Sequence, residues 1–274
     1  VEQLAKKVNG LIWYEPWAGE NKLRAGFLTR QGGTSLAPYA GLNLSFSTGD
    51  DPLRVRHNRE LVAGALGVPL SRWILAQQVH GARVQVVHKK DCGRGALEAQ
   101  TAIAGTDALV TAEPGIALCT AYADCVPLLF YDPVRQAIGA AHAGWKGTVL
   151  KIAAETVNVM TRQFGTNPQD LKVAIGPSIG PCCYQVGDEV AGKFRKSFPE
   201  VQILLGPDAE GRFRLNLWEA NRKALVDLGV RQEQIKVMEL CTACTTEKFF
   251  SHRAEQQKTG RLLGFVVLHE NHER

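Results

Sequence analysis

Residues 73 to 141 are mostly short apolar runs of strand length, each closed by a turn signal, and this limits the folds open to the chain. Residues 73–79 and 83–87 read as strands joined at His80-Gly81. Residues 106–111, 116–121 and 126–131 follow, then a turn at Asp132-Pro133 and a strand over 137–141. Runs of this length, bounded by Gly, Pro and Asp, are the signature of strands rather than helices. Strands are also expected over 23–30, 171–175, 235–240 and 262–268. Helices are expected over 146–164, 186–198 and 217–228, and from Asp51-Pro52 to Gly67, where Asp can cap, Pro suits the first turn and Gly suits the stop. Interleaved strands and helices of this kind give an α+β class of mixed α/β layers, with mixed sheets flanked by helices. No repeat, low-complexity stretch or long linker interrupts the 274 residues, so residues 1–274 are expected to form a single domain with a large core.

Composition narrows the setting. Seven cysteines are an odd number, and the first residues lack the basic-then-apolar layout of a secretory leader. Both point to a reducing, cytoplasmic location. The longest apolar stretch, 116–131, is interrupted by Asp124, Cys125 and Pro127, so no membrane partner is expected. The net charge of +5 is spread with both signs mixed, as on an ordinary solvated surface. At most it favours small anionic substrates such as phosphate. There is no nucleic-acid motif and no dense basic stripe.

Three distant segments carry donors for a soft metal: Gln77-Gln78-Val79-His80-Gly81, Ala123-Asp124-Cys125, and His142-Ala143-Gly144-Trp145-Lys146-Gly147. Taken singly, each histidine is readily a hydrogen-bonded structural residue and the cysteine a small buried hydrophobe. All three fall at expected strand ends or the turns after them, from which distant side chains can converge. Together they make a two-histidine, one-cysteine set, and three protein ligands leave a tetrahedral ion one open position, the mark of a catalytic site.

The words around these donors are more specific than their spacing. Ala123-Asp124-Cys125-Val126-Pro127, His142-Ala143-Gly144-Trp145-Lys146-Gly147-Thr148 and Gly176-Pro177-Ser178-Ile179-Gly180-Pro181-Cys182-Cys183-Tyr184 resemble the laccase-domain family in its bacterial form. That family is also called the multicopper polyphenol oxidase or purine nucleoside phosphorylase family. The resemblance extends to Gly41-Leu42-Asn43-Leu44-Ser45, Phe249-Phe250-Ser251-His252-Arg253 and Thr259-Gly260-Arg261, which is nearly the whole chain. It implies a CNF1-like cysteine hydrolase fold and a metal at His80, Cys125 and His142. It also implies phosphorolysis of adenosine, inosine, guanosine and methylthioadenosine to base and ribose-1-phosphate, with deamination of adenosine.

One thiolate and two imidazoles suit zinc. Copper is the rival, and it can occupy such ligands in vitro. A multicopper oxidase, however, needs many histidines in His-X-His pairs, and this chain has seven histidines and no such pair. Other residues are expected to serve the site. Asn43 and Arg59 lie near the family's active site, and Arg59 can clamp an anion in its fork. Gln78 shares a strand face with His80 if the strand is continuous. Lys146 opens a helix and can add charge to an anion site. Arg253 is a possible substrate contact. Asp124 is expected to orient an imidazole or carry a proton, although on an extended strand it would point away from Cys125.

His252 stands where the family usually has an aromatic and is given no catalytic role. Cys241-Thr242-Ala243-Cys244 lacks a second Cys-x-x-Cys to complete a structural zinc site. Cys182-Cys183 is vicinal, so ordinary reduced thiols beside the pocket are expected, with a redox role as the alternative. Four other functions stay open. Similar proteins are linked to peptidoglycan editing, where an amidase removes L-Ser from a UDP-MurNAc-L-Ser precursor. Copper-dependent polyphenol oxidation, a metal-free Cys125–His142 hydrolase and a protein that only binds metal or nucleotide are the others. The sequence leaves the oligomeric state unknown.

Overall fold

The computed structural model describes residues 5–199 and 203–270. Two six-stranded sheets dominate it. The first runs in the order β1 (Ala5–Val8), β2 (Leu11–Tyr14), β3 (Leu23–Leu28), β15 (Leu262–Leu268), β7 (Ala117–Tyr122) and β4 (Trp73–Leu75). The second runs β14 (Ile235–Val237), β10 (Lys172–Ile175), β8 (Val126–Asp132), β9 (Ala137–Ala143), β6 (Ala108–Thr111) and β5 (Val84–Val86). A ribbon of β11 (Gln185–Val186), β13 (Phe213–Leu215) and β12 (Leu204–Leu205) stands apart from them. Most pairs are antiparallel; β4–β7, β5–β6 and β10–β14 are parallel.

The alternation of side chains along each strand explains the layers. On β8, Leu129 and Tyr131 face inward to a cluster that also takes Phe27, Leu118 and Val266 from the first sheet. Val126, Leu128 and Phe130 face the other way, into a cluster with α3 (Ile152–Phe164), α4 (Asp188–Ser197) and α5 (Leu217–Val226). On β7 and β15, Cys119, Leu263 and Phe265 face outward to Val62 and Leu66 of α1 (Pro52–Leu66). Both sheets are therefore covered on both faces, helix on sheet on sheet on helix, and doubly covered strands read as continuous apolar runs. Among the described residues no helix is long and apolar enough to cross a membrane.

Helix α1 starts and stops as its sequence suggests. Asp51 accepts a hydrogen bond from the Leu53 N–H at 2.9 Å, Pro52 opens the helix, and Gly67 ends it in the left-handed region at φ 64°. Several expected boundaries differ, three of them at the segments that carry His80, Lys146 and His142. The strand read over 73–79 ends at Leu75, because Gln77 turns to donate to the Ile103 carbonyl and His80 is left-handed at φ 60°. The common strand face expected for Gln78 and His80 therefore does not exist. The single helix expected over 146–164 is two, α2 (Trp145–Val149) and α3, broken at Lys151 with φ 59°. The break lets α2 stay against the turn at Gly81 while α3 lies on β9; a Cβ on Gly147 would come 2.9 Å from the Gly81 carbonyl oxygen. Finally, β9 runs on to Ala143, so His142 is within the strand rather than after it.

Candidate metal centre and active site

Cys125 sits where the chain leaves the first sheet for the second. Strand β7 ends at Tyr122, β8 begins at Val126, and the turn between them is made by Asp124 at φ 79°. His142 comes from β9, which pairs with β8 in a register that places it opposite Pro127. His80 comes from the turn beyond β4. The ligand atoms of His80, Cys125 and His142 lie within 4.8 Å of one another. The two imidazole rings meet edge to face, with centroids 4.8 Å apart. His142 is buried, Cys125 half-buried and His80 exposed, so the cluster opens to a reactant on the His80 side.

The cluster is held by a carboxylate that sequence reasoning missed. Asp107, 2 % exposed, accepts from the main-chain N–H groups of Val79 (3.2 Å), His80 (3.0 Å) and Gly81 (2.8 Å). It also accepts from His142 Nδ1 at 3.0 Å. One side chain thus sets the left-handed turn that carries His80 and the ring orientation of His142. With Nδ1 donating to the carboxylate, Nε2 of His142 is left for a metal, as with ligating histidines generally. Gly144 completes the pocket: a Cβ there would fall 2.6 Å from His80 Nδ1 and 3.1 Å from Cys125 Sγ.

Electrostatics match this geometry. Burial pushes the Cys125 thiol up, but the charge on His142 and hydrogen bonds from His142 and His80 outweigh it and bring the thiol down to about 6. Burial likewise pushes His142 down, but the Cys125 thiolate and the bond to Asp107 hold the imidazolium up to about 9. Burial would raise the Asp107 carboxyl, yet its bonds from His142 and Gly81 keep it below the usual carboxylate range. The metal-free cluster is therefore a thiolate–imidazolium pair between these two values. A metal must displace the His142 proton, and below about 6 the thiol proton as well. Metal affinity should rise about tenfold per pH unit between about pH 7.5 and 8.5, as the His142 proton is displaced. Chelator competition across that range checks it; a flat profile would contradict the pairing.

The donor set fits a borderline-soft ion: a thiolate favoured near neutral pH, an imidazole with a free Nε2, and a second imidazole on the exposed side. Among the described residues the cluster has no further histidine, so it does not supply the ligands of a multicopper centre.

Two cavities share the cluster. The first, about 340 Å³, is lined by His80, Cys125 and His142 together with Phe46, Ser47 and Arg261. The second, about 320 Å³, reaches His80 and Cys125 from beside Trp145, Lys146, Tyr184 and Arg253. His252 lines both. Arg261, which sequence reasoning quoted only as part of a motif, lies between this cavity and the carbonyls of Thr259 and Gly260, to which its Nη1 donates.

The other expected residues divide. Lys146 and Arg253 do border the second cavity, and both are exposed. Arg59 lines the first, but its Nε donates to the Leu44 carbonyl and its Nη1 to those of Gly95 and Ala96. Its fork is committed to backbone rather than offered whole to an anion. Asn43 is fully buried and lines neither cavity; its Oδ1 accepts from the Arg261 N–H at 2.9 Å, which makes it a positioning residue. Gln78 exchanges two hydrogen bonds with the main chain of Ala121 and so pins the His80 turn to β7. Asp124 does not serve an imidazole. Its carboxylate accepts from Thr242 Oγ1 and the Arg253 N–H, both at 2.6 Å, and the carboxylate role on His142 belongs to Asp107.

Comparison with known proteins places these features in a family. The family model described as multi-copper polyphenol oxidoreductase laccase matches residues 24–269. The chain is 41% identical to a protein named purine nucleoside phosphorylase YlmD from Bacillus subtilis, over 94% of this chain and 95% of that one. It is 38% identical to one named adenosine deaminase RL5 from an unknown prokaryotic organism, over 81% and 85%. The crystal structure of YlmD from Geobacillus stearothermophilus superposes with a TM-score of 0.92 at 41% identity, covering 97% of this chain and 98% of that one.

Proposed function

The chain belongs to the multi-copper polyphenol oxidoreductase laccase family, and from that membership we propose that it is a zinc-dependent purine nucleoside enzyme. It cleaves adenosine, inosine, guanosine and methylthioadenosine with phosphate and also deaminates adenosine. Relatives named for both activities support nucleoside processing. The observation that carries the reading is that two cavities, each of a size for one small reactant, share His80 and Cys125.

His80, Cys125 and His142 would hold the ion. When bound, it supplies Lewis acidity toward an oxygen or nitrogen of a reactant. The protein's own groups do the rest. Asp107 fixes both histidine-bearing segments before any reactant arrives. Trp145 and Tyr184 line the second cavity, so aromatic rings border a purine held there. Lys146 and Arg253 border that cavity and Arg261 lines the first, so phosphate meets positive charge on entering either. In phosphorolysis a phosphate oxygen bonds to the ribose C1′ as the bond from C1′ to the base breaks. The base keeps the electron pair and takes up a proton. Holding both reactants in line supplies much of the rate.

The test is to incubate purified, metal-loaded protein with adenosine and with inosine, with and without phosphate. Adenine or hypoxanthine should appear with ribose-1-phosphate only when phosphate is present, and inosine should form from adenosine without it. If neither occurs, and L-serine is instead released from the UDP-MurNAc-L-Ser precursor, the chain is the editing amidase.

A second reading has its own support. The sequence of contacts Asp107–His142–Cys125 is a carboxylate, an imidazole and a favoured thiolate, the arrangement of a cysteine nucleophile. Activity that survives chelation but not thiol alkylation would favour it.

A further inference from the structure

Four thiols that the proposed reaction does not use converge behind the wall of the second cavity. Cys182 and Cys183 lie in the turn between β10 and β11, and Cys241 and Cys244 in the loop after β14. Cys183 Sγ is 3.3 Å and Cys182 Sγ 3.5 Å from Cys244 Sγ, and all four sulfurs lie within 4.8 Å of one another. A tetrahedral ion with metal–sulfur bonds of about 2.3 Å places its sulfurs about 3.8 Å apart, so the four already surround a volume of that size.

The surroundings are built for this. The Gly180 N–H donates to Cys241 Sγ at 3.2 Å, a main-chain bond of the kind that supports a thiolate. A Cβ on Gly180 would sit 3.3 Å from Cys182 Sγ and 2.7 Å from the Trp218 ring, so only glycine lets the turn close so tightly. That turn, with the N–H groups of Cys183 and Tyr184 both donating to the Gly180 carbonyl, brings two adjacent cysteines to one centre. The expectation that Cys241-x-x-Cys244 lacks partners is thereby corrected: the partners are vicinal, not a second Cys-x-x-Cys.

We infer that Cys182, Cys183, Cys241 and Cys244 form a second metal site, closed by four thiolates and selective for a soft divalent cation of the zinc class. With no open position it is structural. It staples the loop that delivers Ile179 and Tyr184 to the second cavity to the loop whose Thr242 holds Asp124. Cys182 and Cys244 are exposed, which gives the ion its entry path.

The test uses the full chain with Cys125→Ala, which leaves only this cluster intact. Native mass spectrometry should find one zinc(II) per chain, and cobalt(II) in its place should give the visible spectrum of a tetrahedral four-thiolate site. Adding Cys241→Ser and Cys244→Ser should abolish both. If that variant fails to fold, alkylation mapped by mass spectrometry decides on Cys125→Ala alone: zinc should protect the four thiols together. No retained metal and equal alkylation with and without zinc would overturn the inference. So would a mass two hydrogens lighter, with a disulfide mapped within the cluster.

Discussion

Cys125→Ala is expected to strip the ion from the His80–Cys125–His142 cluster and lower kcat for phosphorolysis by about a thousandfold or more. A metal acting as Lewis acid contributes several kcal/mol to a transition state, and about 1.36 kcal/mol is a decade in rate. The thiolate is the cluster's only anionic ligand, and its charge, together with the bond to Asp107, holds His142 protonated before the ion arrives. The nucleoside KM should change far less, because Trp145 and Tyr184 are untouched. Metal content and initial rates at saturating nucleoside check both halves. A variant with full rate would remove Cys125 from the chemistry, as ligand and as nucleophile alike.

Asp107→Ala should be the next most damaging change, although Asp107 touches no reactant. Its carboxylate gathers three consecutive N–H groups and His142 Nδ1 in a buried position. Partners of this kind typically tune metal affinity about 10- to 100-fold. Removing one member of a buried charged pair also costs about 3–5 kcal/mol of stability. Both effects are expected together: weaker zinc(II) binding by chelator competition and a lower denaturant midpoint. Asp107→Asn keeps the shape but offers an NH2 to donors, so it should restore part of the stability and little of the affinity. A stability loss with unchanged metal affinity would make Asp107 a scaffold residue alone.

Much of the fold was legible because both sheets are covered on both faces, which turns β7, β8, β9 and β15 into unbroken apolar runs. Strand order was not legible. Strand β15, from the end of the chain, inserts between β3 and β7, a pairing set by tertiary packing rather than by any local signal. The residues of the His80–Cys125–His142 cluster were legible from the words around them. Asp107 was not, since an Asp opening a strand looks like any turn residue. Its importance depends on three N–H groups that converge only once His80 adopts a positive φ. Asn43 and Arg59 were recognised as near the site, but burial commits the Arg59 fork to backbone carbonyls and the Asn43 amide to the Arg261 N–H and to the side chains of Thr48 and Asp50. The four-cysteine cluster was hidden because its two halves follow different spacings.

The most direct measurement follows adenosine with phosphate in metal-loaded protein and in protein stripped by a chelator, under conditions where far-UV circular dichroism is unchanged. Adenine and ribose-1-phosphate should form at once in the loaded protein, cease on stripping and return when zinc(II) is added back. Undiminished phosphorolysis by the stripped protein would contradict a metal role for His80, Cys125 and His142.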